Sequence, residues 1–197
     1  MKSFQFNLPT KTIFGVNEFR NSLATEAAKL GRKCLIVTGP NINSKTDYVR
    51  TAEKLLQGAD IKYEIFDGIE SNPTDASVVK GAAVAQKMGA EFILAVGGGS
   101  PMDAAKAMGI LVSQGGKISD YFGVEMVKKP NFPVICAPTT SGTGAEVTKY
   151  SNISVKKETS KNLINSINIC PRVAIVDPTL TLSMSPGLAA VSGIDAL

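Results

Sequence analysis

The sequence predicts an α/β fold, a parallel sheet covered by helices. Two observations carry this: short apolar runs that are continuous rather than alternating, and segments of helical spacing between them. Continuous apolar runs belong to strands buried on both faces, which is how strands of a parallel sheet read. In chain order, "KTIF" (11–14) is expected to pair with the opening "FQFNLP" as a small antiparallel ribbon. A helix follows from about Asn17 to Leu30 and stops at Gly31. "KCLIVT" (33–38) is a strand, residues 45–57 a helix ending at Gly58, and "KYEIF" (62–66) the next strand. Thr74 opens a helix that carries Asp75 in its first turn and runs to Met88 and Gly89. "EFILAVG" (91–97) and "FPVICAP" (132–138) are strands flanking a helix at 101–113. From Thr148 to Asp177 the pattern becomes β-rich, with "TKYSNISV" and "NLINSINI" expected to form a hairpin across "KKETSK" and "RVAIVD" a further strand. A last helix begins at Ser185–Pro186.

Composition sets the class. A hydrophobic fraction of 44% with 19% charged residues describes a folded globular chain and argues against disorder. The net charge of +4 is mild and the basic residues are scattered, so no nucleic-acid partner is expected. No apolar run is long enough to span a membrane, and "MKSFQFNLPTK" lacks the apolar core of a signal peptide. Cys34, Cys136 and Cys170 are odd in number and widely spaced, which favours free thiols in a reducing compartment, hence the cytoplasm.

Three consecutive glycines stand where a strand meets a helix, in "AVGGGSPMDAAKA" (95–107). Gly97, Gly98 and Gly99 let the main chain turn sharply and let a ligand approach it closely. Ser100 is then expected as N-cap, Pro101 as first helical residue and Asp103 as the acid of a capping box. Lys106, one turn on, offsets the charge of Asp103. The free N–H groups and positive end of such a helix favour an anion, typically phosphate. A second cluster, "APTTSGTGAEVT" (137–148), sets Thr139, Thr140, Ser141 and Thr143 at the end of another buried strand. Each loop on its own also reads as a turn that satisfies its own backbone. Two of them at the carboxyl edge of one sheet argue for a nucleotide site.

"GGGSPMDAAKAMGI" (97–110) together with "PTTSGTGAEVT" (138–148) resembles the iron-dependent (group III, metal-containing) alcohol dehydrogenases, as do "SNPT" (71–74) and the final "DPTLTLSMSPGLAAVSGIDAL". Glycerol dehydrogenases and dehydroquinate synthases share a glycine turn, but not this context. The resemblance covers essentially the whole chain and only the amino-terminal half of such an enzyme. It implies a Rossmann-like NAD(P)-binding domain over residues 1–182, with a β-hairpin excursion near 148–170. Residues 183–197 would start the all-helical metal-binding domain, which is otherwise absent from this chain. By the same resemblance, Gly97, Gly98, Gly99 and Ser100 hold the pyrophosphate, and Thr139, Thr140 and Thr143 contact the dinucleotide toward the nicotinamide. Asn72 and Lys161 face the cofactor, and Tyr150 lines the nicotinamide or substrate side. Without the resemblance, Lys161 reads as a solvated charge in a hairpin turn.

NAD-preferring relatives place an aspartate after the first nucleotide-binding strand, where this sequence has Gly39. A carboxylate there repels a 2′-phosphate and glycine leaves room for one, so NADP is favoured over NAD. Gly39 as a plain turn residue stays open. Family members hold a divalent metal, iron, with one aspartate and three histidines, and Asp195 matches the aspartate. The chain has no histidine, so Asp195 alone is not a metal site and reads locally as an exposed helix charge. The resemblance implies hydride transfer between a small alcohol, or its aldehyde, and the nicotinamide, with the metal polarising the oxygen. The 197-residue chain by itself is expected to bind nucleotide and to be inactive. The alternatives are a nucleotide-binding module without redox chemistry, and a same-fold relative such as a maleylacetate reductase or a hydroxyacid–oxoacid transhydrogenase. A homo-oligomer is left open, since apolar surface around the last helix invites self-association.

Overall fold

The computed structural model describes residues 7–155 and 161–197. The strands are β1 (Lys11–Phe14), β2 (Lys33–Thr38), β3 (Lys62–Phe66), β4 (Phe92–Gly97), β5 (Gly123–Val124), β6 (Val134–Pro138), β7 (Tyr150–Ser154), β8 (Lys161–Asn165) and β9 (Val173–Val176). The helices are α1 (Glu18–Ala28), α2 (Pro40–Lys45), α3 (Tyr48–Gly58), α4 (Asp75–Met88), α5 (Gly99–Gln114) and α6 (Pro186–Asp195). Six strands form one parallel sheet in the order β1-β9-β6-β4-β2-β3. β5, β8 and β7 form a separate small sheet.

The core explains why the apolar runs are continuous. Every residue of β4 and β6 is buried, and all of β2 except Lys33. Side chains alternate between the faces of a strand. Cys34, Ile36, Phe92 and Leu94 therefore pack with Phe19 and Leu23 of α1 and Val49 and Leu56 of α3. Leu35, Val37, Ile93 and Ala95 pack with α4 and α5 on the other face, in a cluster that includes Ile153 and Ile164 of the small sheet. Leaving out β1, the order reduces to the doubly wound arrangement in which the first strand lies between the second and third, a Rossmann-like sheet. Its switch point lies between β2 and β4, so the crevice opens beyond Thr38 and Gly97.

The hairpin over 148–170 is present, with β7 antiparallel to β8 and Ser154 opposite Lys161, while its "KKETS" turn lies outside the described residues. β1 is an edge strand that pairs parallel with β9, Lys11 opposite Val173, and the expected ribbon partner "FQF" lies outside the described residues. Two expectations are corrected. The helix expected over 45–57 is α3, which starts later, at Tyr48, and an unexpected short helix, α2, precedes it and ends where the chain extends at Thr46 (φ −130°, ψ 168°). The glycine-turn helix starts earlier than expected, at Gly99 with Gly98 as N-cap, so Ser100 and Asp103 form no capping box.

Where β1 meets α1, Glu26 accepts hydrogen bonds from Lys11 (2.7 Å) and Lys29 (2.6 Å). These bonds hold its carboxyl below the ordinary value of 4.5. A depressed carboxyl stabilises the fold above its unfolded pKa, and that stabilisation is lost as pH falls through the folded one. Below about pH 4.5, denaturation midpoints of Glu26→Gln are thus expected to depend less steeply on pH than those of the parent.

Candidate nucleotide site at the sheet switch point

The site is built where β2, β4 and β6 end. Gly97 has φ +151°, and a Cβ there would lie 2.8 Å from Pro101 Cγ, so the turn into α5 is open to glycine. The Thr139 N–H donates to the Gly97 carbonyl at 2.9 Å, tying the hydroxyl loop to the glycine turn. The two loops then run in contact. A Cβ on Gly98 would stand 3.1 Å from Thr140 Oγ1, and one on Gly99 would stand 3.1 Å from Thr143 Cγ2. No side chain caps the start of α5, which leaves its first N–H groups turned to the crevice. Thr139 is buried, and its Oγ1 finds no hydrogen-bond partner among the described residues.

Two hollows flank this contact. A cleft of about 480 Å³ is lined by Asn72, Gly99, Ser100, Thr143 and Tyr150, with Asp103, Asn152 and Ser154. A smaller hollow of about 210 Å³ is lined by Thr139 and Thr140, with Asn41, Ile42 and Leu188. Of the residues singled out from sequence, the structure thus gathers Asn72, Ser100, Tyr150, the glycine turn and the three threonines at one edge. Gly39 sits at the same edge as N-cap of α2, its missing Cβ facing the Ile69 carbonyl at 3.2 Å. Asn72 adopts φ 74°, a left-handed conformation that asparagine tolerates, and its N–H donates to Ser100 Oγ at 3.3 Å. Tyr150 is exposed, with Lys149 Nζ 5.9 Å from its ring centroid. Lys161 opens β8, and its side chain lies outside the described residues.

Asp103 and Lys106, expected from sequence as a charge-offset pair at the helix start, have a further part in shaping the cleft. Their side chains are 3.9 Å apart, yet both reach β7. Asp103 Oδ2 accepts the Asn152 N–H at 3.0 Å, and Lys106 Nζ donates to the carbonyls of Thr148 (3.0 Å) and Tyr150 (2.8 Å). Burial pushes the Lys106 pKa down, against the opposing pull of Asp103. The hairpin also meets the loop before α4, where the Ser154 N–H donates to the Pro73 carbonyl at 2.9 Å. Nothing in the local pattern signals these bonds, because their partners are distant in sequence.

Asp195 lies at the end of α6, against the hydroxyl loop. Its Oδ2 would be 2.8 Å from a Cβ on Gly142, and Ser192 Oγ is 3.1 Å from Ser141 Oγ. Among the described residues no group of three or more His, Cys, Asp or Glu side chains is placed to hold a metal ion. The described residues therefore do not by themselves fit a metal centre. The cysteines do not supply one, since Cys34 and Cys136 are buried and burial raises both thiols, Cys136 to about 12.

Comparison with known proteins agrees with this architecture. Residues 9–178 match the iron-containing alcohol dehydrogenase family. The chain is 36% identical to the NADPH-dependent butanol dehydrogenase of Clostridium saccharobutylicum and 34% identical to the NAD-dependent methanol dehydrogenase of Bacillus methanolicus. Each alignment covers 98% of this chain and 50% of the relative, so the chain spans about half the length of the curated relatives it matches. The crystal structure of a 1,3-propanediol oxidoreductase superposes with a TM-score of 0.93 at 33% identity, over 98% of this chain and 50% of that one. On these grounds the chain belongs to the iron-containing alcohol dehydrogenases, matching their amino-terminal half.

Proposed function

We propose that this chain is the dinucleotide-binding half of an NAD(P)-dependent alcohol dehydrogenase that interconverts a small alcohol and its aldehyde or ketone. The observation that carries the reading is the contact between the glycine turn and the hydroxyl loop at the switch point. Any side chain on Gly98 or Gly99 would fill the space over the uncapped start of α5, where a pyrophosphate meets main-chain N–H groups. The partnerless Thr139 hydroxyl supports a ligand on the same side. In this reading Gly97 to Ser100 hold the pyrophosphate, and Thr139, Thr140 and Thr143 follow the dinucleotide toward its nicotinamide. Asn72, Tyr150 and Lys161 border that end. A bound nicotinamide supplies the hydride acceptor or donor, and the residues of this chain bind and orient it.

Residues 1–182 form the nucleotide-binding domain in this proposal, and 183–197 open a second, metal-binding one. Asp195 is the one metal ligand the chain offers, so the purified 197 residues bind nucleotide without oxidising alcohols. Metal-dependent turnover of an alcohol by that preparation overturns this. Leu188, Val191 and Ile194 of α6 are exposed, which supports self-association of the chain. No helix among the described residues is long and apolar enough to cross a membrane. Three free cysteines support a reducing compartment, and we place the protein in the cytoplasm.

Fluorescence titration of the chain with NADPH and, in parallel, NADH tests the reading. Saturable binding is expected, tighter for NADPH because Gly39 leaves room for a 2′-phosphate. Gly39→Asp is expected to shift the affinity ratio toward NADH by about tenfold or more, through repulsion of that phosphate. Absence of binding by either nucleotide removes the proposed site, and equal or better binding of NADH removes the NADP preference.

A further inference from the structure

We infer that Asp103 and Lys106 are positioning residues of the nucleotide site, which together hold the β7 wall of the cleft in fixed register with the glycine turn. The inference rests on the dinucleotide reading above. Both side chains leave α5 on one face, a single turn apart, and both end on β7. Asp103 takes the Asn152 N–H with its carboxylate and the Ser151 hydroxyl, at 2.8 Å, with its carbonyl. Lys106 holds the carbonyls of Thr148 and Tyr150.

The pattern fixes register as well as distance. Alternate residues of a strand present their N–H and C=O groups to the same edge, so a slip of β7 by one residue would turn the Tyr150 carbonyl away from Lys106 and the Asn152 N–H away from Asp103. A residue needed only to fill this space would be apolar, since burying an ammonium is costly. Lys106 is 0% exposed and spends its charge on main-chain carbonyls at the start of β7 and in the loop just before it. It therefore cannot touch a ligand in the cleft, and any effect on binding passes through β7. Helix α5 begins at the glycine turn, so one rigid element carries both the pyrophosphate donors and the wall from which Tyr150 and Asn152 face the cleft. The clamp thus sets the geometry of whatever lies beyond the pyrophosphate.

The test compares two ligands on the 197-residue chain: the tighter-binding of NADH and NADPH, and ADP-ribose (or its 2′-phosphate), which lacks only the nicotinamide. In Lys106→Met and Asp103→Ala the dinucleotide affinity is expected to fall by about tenfold or more, with the nicotinamide-free fragment held within about twofold. Asp103→Asn keeps an acceptor for the Asn152 N–H and is expected to keep the parent ratio. Equal loss of both ligands, or unchanged dinucleotide affinity in the folded variants, overturns the inference. Asp103 is at the cleft surface, so Asp103→Ala carries the test where Lys106→Met does not fold. Hydrogen exchange gives a readout that needs no ligand: the Asn152 amide is expected to exchange faster in Asp103→Ala while β4 amides do not. An unchanged Asn152 amide refutes the clamp, whereas a parent chain that binds neither ligand refutes the function reading alone.

Discussion

Gly99→Val is expected to weaken NAD(P)H binding by about a hundredfold or more, roughly 2.7 kcal/mol, while leaving the melting temperature nearly unchanged. The new Cβ alone would lie 3.1 Å from Thr143 Cγ2 and 3.2 Å from Thr143 Oγ1. The two γ-methyls must then point into the cleft or push the hydroxyl loop away. Gly99 is half-buried at the first position of α5 and does not have a left-handed conformation, so the fold tolerates the substitution. Gly99→Ala asks Thr143 to move only a few tenths of an ångström and is expected to cost less. Fluorescence titration paired with thermal melting separates the two effects. An intact affinity in folded Gly99→Val would mean that the turn does not face the nucleotide.

The largest loss of stability is expected at Asp177, outside the cleft. This carboxylate is 2% exposed and accepts four hydrogen bonds: Asn17 N–H (3.2 Å), Phe19 N–H (3.1 Å), Thr179 N–H (2.9 Å) and Thr179 Oγ1 (2.7 Å). Asn17 precedes α1 in a left-handed conformation without a side-chain cap of its own, so Asp177 caps that helix from across the chain. Burial alone would raise its pKa, but the bonds from Thr179, Phe19 and Asn17 outweigh it and hold the carboxyl below its ordinary value. Asp177→Ala leaves the buried Phe19 N–H and the part-buried Asn17 and Thr179 N–H groups without this acceptor and is expected to cost about 3 kcal/mol. That corresponds to a melting temperature lower by roughly 6–12 °C. Asp177→Asn keeps one acceptor oxygen and is expected to fall between. Urea unfolding followed by circular dichroism measures both. A loss under about 0.5 kcal/mol for the alanine variant would show that water replaces the cap.

Much of this was legible in the sequence because the signals are local. β2, β4 and β6 announce themselves as apolar runs because both faces of each strand are covered. Thr74 was readable as a helix start, and it forms a reciprocal cap with Ser77. Gly97 to Gly99 and Thr139 to Thr143 were readable as two loops at one edge, since both follow buried strands. Two of the misreadings share one cause, a partner far away in the chain. Ser100 and Asp103 have the spacing of a capping box, but Gly98 already turns the chain and Asn152, 49 residues on, takes the carboxylate. Helix α2 was missed for a local reason, since it is a single short stretch that ends where the Thr46 hydroxyl bonds the Ile42 carbonyl at 2.7 Å. Lys106 lies in "DAAKA" like a surface lysine, and only the fold brings β7 over it.

The pairing of β1 with β9 bears on how the chain comes to fold. Lys11 lies opposite Val173, and Asp177 reaches back to Phe19 across 158 residues. Contacts of such long separation close slowly, since the whole intervening loop must be ordered first. During synthesis the segment carrying β1 and α1 is made first yet acquires its partner strand and its cap only after residue 177 has emerged. Until then Phe19 and Leu23 can bury only against β2, β4 and α3, and the edge of β1 that takes β9 stays unpaired. The β1–α1 segment is thus among the last parts of this sheet to settle, and its unpaired edge is open to aggregation until β9 has been made.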